Sequence, residues 1–324
     1  PFRATADGKR TQQLNRFKQK MAEFLPRVKQ LLTNVTPTFD VTIATQTDDG
    51  RKFNRGALLN IAVKENPPYH CYIFHDVDLL PENTMLPVYA GPYTQQSIVH
   101  FANEWNRYKS DYKYLGGVLL VGRTMFQRVN GYPNNYYGWG GEDDELRRRF
   151  ETELGKDLKS HVQLLGTKGG LKDLENESGD RAPPGKMPVD QKNMVKWELR
   201  DLHATTWRQN GLNQSDFYQV ETTEKEVLSG ITFKTLMIQL NFEEIKPPER
   251  ASAEEDSTPQ SSTASSSETK SSTRASSQAD EGSPHLPVSS PQDFLQSTIA
   301  TQPVTSPSPV SPNAAAAIGA ATPP

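Results

Sequence analysis

Asp76 and Asp78 stand one residue apart at the end of an apolar run. Glu142–Asp143–Asp144–Glu145 follow directly on Tyr136–Tyr137–Gly138–Trp139–Gly140–Gly141. These are the residues of the sequence best suited to chemistry. Two carboxylates in D-x-D spacing can serve a hard divalent ion, Mg2+ or Mn2+, which takes its remaining ligands from phosphates and water. A carboxylate of the second cluster can accept a hydroxyl hydrogen bond or take the proton itself. Trp139 offers an apolar ring to the C–H face of a sugar. The glycines around it let the backbone approach a ligand or swing as a lid. Together they suggest a carbohydrate site with a general base; in a sugar-nucleotide enzyme the metal would neutralise the diphosphate leaving group. A plainer reading stays open beside this one. Acids ahead of Arg147, Arg148 and Arg149 suit the dipole of a helix opening near Gly141, and a D-x-D pair is often a polar turn. Both hold if the helix begins under a ligand.

The elements that must carry these groups read as alternating helices and strands. Leu14, Phe17, Met21, Phe24, Leu25, Val28, Leu31 and Leu32 recur at three- and four-residue steps and predict an amphipathic helix. Phe39 to Ala44 predicts a strand, Phe53 to Lys64 a helix, and Tyr69 to Phe74 a short apolar strand running into Asp76. Val118 to Val121 predicts a further buried strand. Gly141 to Leu158 predicts the helix after the aromatic loop, and Phe217–Val220 and Phe233–Phe242 predict closing β segments. Such alternation implies an α/β domain with a twisted, mostly parallel central sheet. Ligands of such sheets sit beyond the carboxyl ends of the strands, where Asp76 and Asp78 fall.

Composition bounds the rest. With 324 residues, 34% of them hydrophobic, and a formal net charge of −3, the chain can build a sizeable core and lacks the basic face of a nucleic-acid binder. No apolar run approaches the roughly 18 residues that would span a bilayer. The chain begins with Pro rather than Met and reads as a fragment or a processed form, from which an N-terminal signal or anchor could have been lost. Its one cysteine, Cys71, sits in an apolar run and reads as a buried filler. N-x-S/T triplets at Asn34, Asn176 and Asn213 suit a secretory lumen. Composition shifts near Ile245–Pro248 to Ser, Thr, Pro and Ala. Residues 1–247 therefore read as one globular domain and 248–324 as a disordered tail.

Several longer motifs carry a family resemblance. These are Pro1–Phe2–Arg3, Phe53–Asn54–Arg55 with Leu58–Leu59–Asn60, Phe74 to Pro81, Tyr114–Leu115–Gly116–Gly117–Val118, Asn130 to Asn135, Gly138 to Glu145, and Gly211–Leu212–Asn213. In kind and order they resemble the β-1,4-galactosyltransferases, which are inverting, manganese-dependent enzymes. The segment His75–Asp76–Val77–Asp78–Leu79–Leu80–Pro81 looks most like the branch that transfers galactose to xylose on proteoglycan cores. The resemblance implies a nucleotide-diphospho-sugar transferase (GT-A, Rossmann-like) fold, a UDP-sugar donor, a glycan acceptor on a glycoprotein, proteoglycan or glycolipid, and a Golgi lumen location as a type II membrane protein.

It also implies roles. Pro1, Phe2, Arg3, Phe53 and Arg55 would line the uridine diphosphate pocket. Asp78 would hold Mn2+, with Mg2+ as the alternative, and Asp76 would touch the nucleotide or its sugar. Tyr114 would exclude the 2-acetamido group of N-acetylgalactosamine, with Gly117 beside it in the donor site. Trp139 would cap the donor as the glycine loop closes. Glu142 would bind sugar hydroxyls, and Asp143 would be the base. The chain departs from the family where a histidine should complete the metal site. Leu174 to Asp180 has none, and Glu177 is the expected replacement ligand. The alternatives are transfer of N-acetylgalactosamine, or glycan binding without turnover.

Overall fold

The protein is described by a computed structural model that covers residues 1–32, 37–102, 104, 112–178 and 188–244. The tail expected at 248–324, the region 179–187 and the Asn34 triplet lie outside the described residues. In chain order the elements are α1 (Lys9–Leu31), β1 (Asp40–Gln46), α2 (Arg55–Lys64), β2 (Cys71–His75), β3 (Leu79–Pro81), α3 (Leu86–Tyr89), β4 (Ile98–His100), β5 (Val118–Gly122), α4 (Arg123–Arg128) and α5 (Glu142–Leu154). There follow β6 (Val162–Leu164), β7 (Leu171–Asp173), α6 (Leu174–Ser178), α7 (Lys196–Asp201), α8 (His203–Thr206), β8 (Tyr218–Leu228) and β9 (Ile231–Leu240).

The strands form three groups, ordered β1-β9-β8, β2-β5-β4-β6 and β3-β7. Pairing is parallel for β1 with β9 and for β4 with β6. It is antiparallel for β2 with β5, β4 with β5, β3 with β7, and β8 with β9. The fold is mixed α/β, and the expectation of a mostly parallel sheet is corrected. An unbroken apolar run such as Val118–Val121 reports burial on both faces, not strand direction. The two long strands β8 and β9 form a hairpin whose turn, Ser229–Gly230, has φ of 51° and 77°, the left-handed pair that suits the twist of a tight antiparallel connection.

Side-chain pattern explains the packing. The stripe Leu14, Phe17, Met21, Phe24, Leu25 and Val28 of α1 is buried against a core that includes Ile43, Leu79, Tyr89 and Phe233. A second cluster joins Phe74 and Leu119 to Phe126, Tyr132, Leu146 and Phe150. It ties the end of β2 and the start of β5 to α4 and α5. Full burial of a side chain like Phe150 is worth about 1.5–3 kcal/mol. Cys71 is half-buried, with its thiol pushed up to about 11 by burial.

Polar residues fix α2. Asn54 caps it by accepting from Ala57 N at 3.0 Å. Asn60 donates to Tyr132 O and to Asn134 Oδ1, each at 2.7 Å, and accepts from Tyr132 N at 2.9 Å. All three asparagines are buried, where an unpaired amide would cost about 1–3 kcal/mol. The Phe53–Asn60 and Asn130–Asn135 motifs are thus two halves of one buried network. That network brings the start of α2 against the loop ahead of α5.

Candidate active site

The ends of β2, β5, α2 and α5 meet at Arg55. Its Nε donates to Asp76 Oδ1 at 2.8 Å, and its Nη1 lies 3.6 Å from Glu142 Oε1. The guanidinium also sits 5.7 Å from the centre of the Tyr132 ring. One arginine therefore spans from the D-x-D segment to the first turn of α5. Arg55 Nη1 and the Tyr132 hydroxyl are buried with no hydrogen-bond partner. Atoms of that kind are normally satisfied in a working site by water or ligand. Nothing in the local pattern marks the Tyr132 hydroxyl, since Tyr132 reads there as a core aromatic.

Two histidines brace the backbone around this arginine. His75 bonds Asp76 O at 2.8 Å and the Tyr89 hydroxyl at 2.9 Å. Burial lowers its pKa to about 4, so it is neutral. His100, likewise lowered to about 4 by burial, bonds Gly116 O at 2.9 Å. Asp76 N donates to Gly117 O at 3.0 Å, and Gly117 takes the left-handed φ of 74°.

Asp143 lies over Gly116. A Cβ built on Gly116 would come within 2.5 Å of Asp143 Oδ2 and 2.4 Å of the Tyr114 hydroxyl. The carboxylate, the tyrosine and the bare glycine backbone therefore share one small space. Gly116→Ala is expected to slow any chemistry run by Asp143 by on the order of 10²-fold, since sub-ångström placement matters that much. Turnover measured beside a thermal melt checks it, and a slow enzyme with an unmoved melt is the expected pattern. Burial first, then the charge of Asp144, pushes Asp143 up to about 6, against the pull of Arg55. Burial first, then Asp143, pushes Glu142 up to about 8. Two adjacent carboxyls held at different pKa values can serve as base and as proton-bearing donor.

Beyond β2 lies a second acidic group. Asp78 O accepts from Leu174 N at 2.8 Å, so the pairing of β3 with β7 sets Asp173 and Glu175 beside Asp78. Burial first, then Asp76, pushes Asp78 up to about 7; Glu175 and Asp173 add to this and Arg10 opposes it. Arg10 bridges the group, with Nη1 3.4 Å from Asp78 Oδ2 and Nη2 2.7 Å from Glu175 Oε1. Glu177, the ligand expected from sequence, is elsewhere. It pairs with Arg16 at 3.2 Å and Lys172 at 2.6 Å and is well exposed. Residues two apart on a one-turn helix face opposite ways, so Glu175 and Glu177 cannot both turn toward Asp78. Neither Asp173 nor Glu175 was singled out from sequence. His203 bonds Glu145 Oε1 at 2.7 Å and Thr152 Oγ1 at 2.9 Å.

The carboxylate oxygens near Asp78 are chemically right for Mn2+ or Mg2+. Their arrangement is not. Among the described residues, no group of three or more His, Cys, Asp or Glu side chains is gathered so as to hold a metal ion.

The remaining residues expected at the donor are placed as follows. Phe2 is buried and joins the edge of β1, its N donating to Ala44 O at 2.8 Å and its O accepting from Gln46 N at 3.0 Å. The Pro1 nitrogen lies within electrostatic reach of Arg55 and Asp76. Arg3 instead donates to Arg51 O. Phe53 O accepts from Gly138 N at 2.8 Å. Trp139 is 39% exposed. Its N donates to Gln191 O at 2.7 Å and its O accepts from Asn193 N at 3.1 Å, a short parallel bridge. Gly138, Gly140 and Gly141 around it have φ of 83°, 104° and 103°, which other residues adopt only with strain.

Residues 10–90 match the family model described as the N-terminal region of glycosyl transferase group 7. Residues 96–160 match the one described as the N-terminal domain of galactosyltransferase. β-1,4-Galactosyltransferase 4 of Mus musculus is 33% identical over 178 residues, which are 52% of this chain and 49% of that protein. β-1,4-Galactosyltransferase 3 of Bos taurus is 31% identical over 176 residues, 53% of this chain and 41% of that protein. The chain thus spans about half the length of the curated relatives it matches. Among solved structures, a Drosophila β-1,4-galactosyltransferase 7 mutant in complex with manganese, UDP-Gal and xylobiose superposes with a TM-score of 0.51 at 22% identity. The match covers 70% of this chain and 90% of that one. The fold is that of the nucleotide-diphospho-sugar transferases, the GT-A class. Over residues 10–160 the chain is similar in sequence to the β-1,4-galactosyltransferases.

Proposed function

We propose that this domain is an inverting glycosyltransferase. It moves galactose from UDP-galactose to the 4-hydroxyl of a xylose or N-acetylglucosamine acceptor on a glycoprotein, proteoglycan or glycolipid. The observation that carries this reading is the Arg55 bridge, which holds Asp76 and Glu142 on one guanidinium while Asp143 lies over Gly116 beside Tyr114. In this reading Asp143 takes the proton of the acceptor hydroxyl as its oxygen attacks the anomeric carbon. The bond from that carbon to the β-phosphate oxygen breaks on the opposite face, so configuration inverts and UDP leaves with the electron pair. Glu142, still protonated near neutrality, donates to a sugar oxygen. Arg55 faces the developing negative charge. Trp139 covers the donor.

The xylose acceptor is supported by the His75–Pro81 motif and by the xylobiose in the superposable structure. Mn2+, with Mg2+ as the alternative, is the proposed cofactor, supported by the manganese in that same complex. A Golgi lumen location with an N-terminal anchor is part of this reading; it is supported by the resemblance, and the exposed Asn176 and Asn213 suit that compartment. A second reading, glycan binding without turnover, draws on the ungathered metal ligands.

Tyr114 gives the test. The parent is expected to transfer galactose to xylosides or N-acetylglucosaminides and to reject UDP-N-acetylgalactosamine. Tyr114→Leu should raise the ratio of N-acetylgalactosamine to galactose transfer by roughly 10-fold or more, because removing the ring opens room for the acetamido group. No transfer of either sugar by the parent, with glycan binding intact, would decide for the second reading.

A further inference from the structure

The metal the family calls for and the side chains present here disagree, and the disagreement has a visible cause. Arg10, in the first turn of α1, reaches into the acidic group beyond β2. Its guanidinium touches Asp78 Oδ2 at 3.4 Å, Glu175 Oε1 at 2.7 Å and Gln13 Oε1 at 3.1 Å. Asp173, which caps α6 by accepting from Glu175 N at 3.0 Å and Asn176 N at 3.1 Å, completes the acidic surround. A neutral filler would leave these carboxylates repelling one another. A single +1 charge on a planar fork holds two of them instead.

We propose that Arg10 is a built-in counter-cation that competes with a divalent metal ion for the carboxylates of Asp78 and Glu175. A guanidinium and a dication cannot share those oxygens, since their mutual repulsion at contact distance is several times RT even at intermediate dielectric. Metal entry therefore requires Arg10 to leave. It is free to do so: its side chain is 38% exposed, and it has a long flexible stem. Gly8, with φ of 70°, lies two residues before it. The carboxylate that pairs with the competing cation is Glu175, while Glu177 has cations of its own in Arg16 and Lys172. The inference rests on the family reading of Asp78 as a metal ligand, and it sets what that site costs a metal in this chain.

The test is Mn2+ binding without nucleotide, read from the electron paramagnetic resonance signal of free Mn2+. The parent, Arg10→Met, Arg10→Lys, Arg16→Met and the double variant Arg10→Met/Asp78→Asn are compared. Arg10→Met is expected to bind Mn2+ about tenfold more tightly than the parent or better, and Arg10→Lys to remain near the parent. Arg16→Met, which removes one of the two cations on Glu177 and touches neither Asp78 nor Glu175, should change nothing, and the double variant should lose the gain. Equal or weaker binding by Arg10→Met, or a gain that survives Asp78→Asn, would overturn the proposal. Circular dichroism on each variant guards against unfolding. No transfer assay enters, so the proposal can fail with galactose transfer intact, or hold in a protein that transfers nothing.

Discussion

Asp143→Asn is expected to lower galactose transfer by on the order of 10³-fold, the range in which a positioned general base contributes. Asn keeps the shape and one hydrogen-bond acceptor but cannot take a proton. The expected pH dependence is distinctive. Burial and Asp144 hold Asp143 near 6, and the base works only when ionised. Activity of the parent should therefore rise as pH rises through about 6. Glu142, held near 8, keeps its proton across the plateau and loses it above, so activity should fall again on the alkaline side. The residual activity of Asp143→Asn should lose the acid limb. Steady-state rates between pH 5 and 9 check both limbs. A variant retaining more than a tenth of parental activity, or one with an unchanged acid limb, would remove Asp143 from the chemistry.

The largest effect on stability is expected at Arg149. Its side chain is 1% exposed. It donates to Glu145 Oε1 at 3.1 Å, Asn130 O at 3.2 Å, Gly131 O at 2.9 Å and Asn210 O at 2.7 Å. One side chain thus satisfies three carbonyls and a buried carboxylate, and pins α5 to the loop that carries Tyr132. Arg149→Met keeps most of the volume and takes the donor from all four acceptors, of which Asn130 O retains Leu212 N at 3.0 Å. The expected loss is about 3–5 kcal/mol, as for other buried pairs broken from one side. His203 Nδ1, 2.7 Å from Glu145 Oε1, remains as a partner for that carboxylate. Urea denaturation of parent and variant measures this. A loss under about 1 kcal/mol would mean the network is dispensable.

Much of the site was legible in the sequence, for identifiable reasons. The stripe from Leu14 to Val28 has a period that only a helix explains. Asp76 and Asp78 follow a continuous apolar run, which marks the end of a buried strand. Glu142 to Glu145 precede three arginines, which marks a helix start. What stayed hidden depends on the third dimension. Strand direction leaves no trace in Val118–Val121, because a strand buried on both faces is apolar whichever way it runs. The strands β4 and β6 are three residues long, too short to show alternation. The choice between Glu175 and Glu177 turns on two positions in a one-turn helix. Arg10 and Asp78 lie 68 positions apart in sequence, and no local pattern predicts their contact. Arg3, which reads as a phosphate partner, is spent on the Arg51 carbonyl.

The backbone bridge at Trp139 has a mechanical corollary. Its two main-chain links run to Gln191 and Asn193, and just beyond them α7 begins, carrying the exposed Trp197. A flap hinged at Gly138, Gly140 and Gly141 cannot swing independently while those links hold. Either it peels away from this neighbour, or it tows the neighbour along. In the second case two indole rings travel as one rigid jaw, and gripping the donor would reshape the surface presented to whatever arrives next.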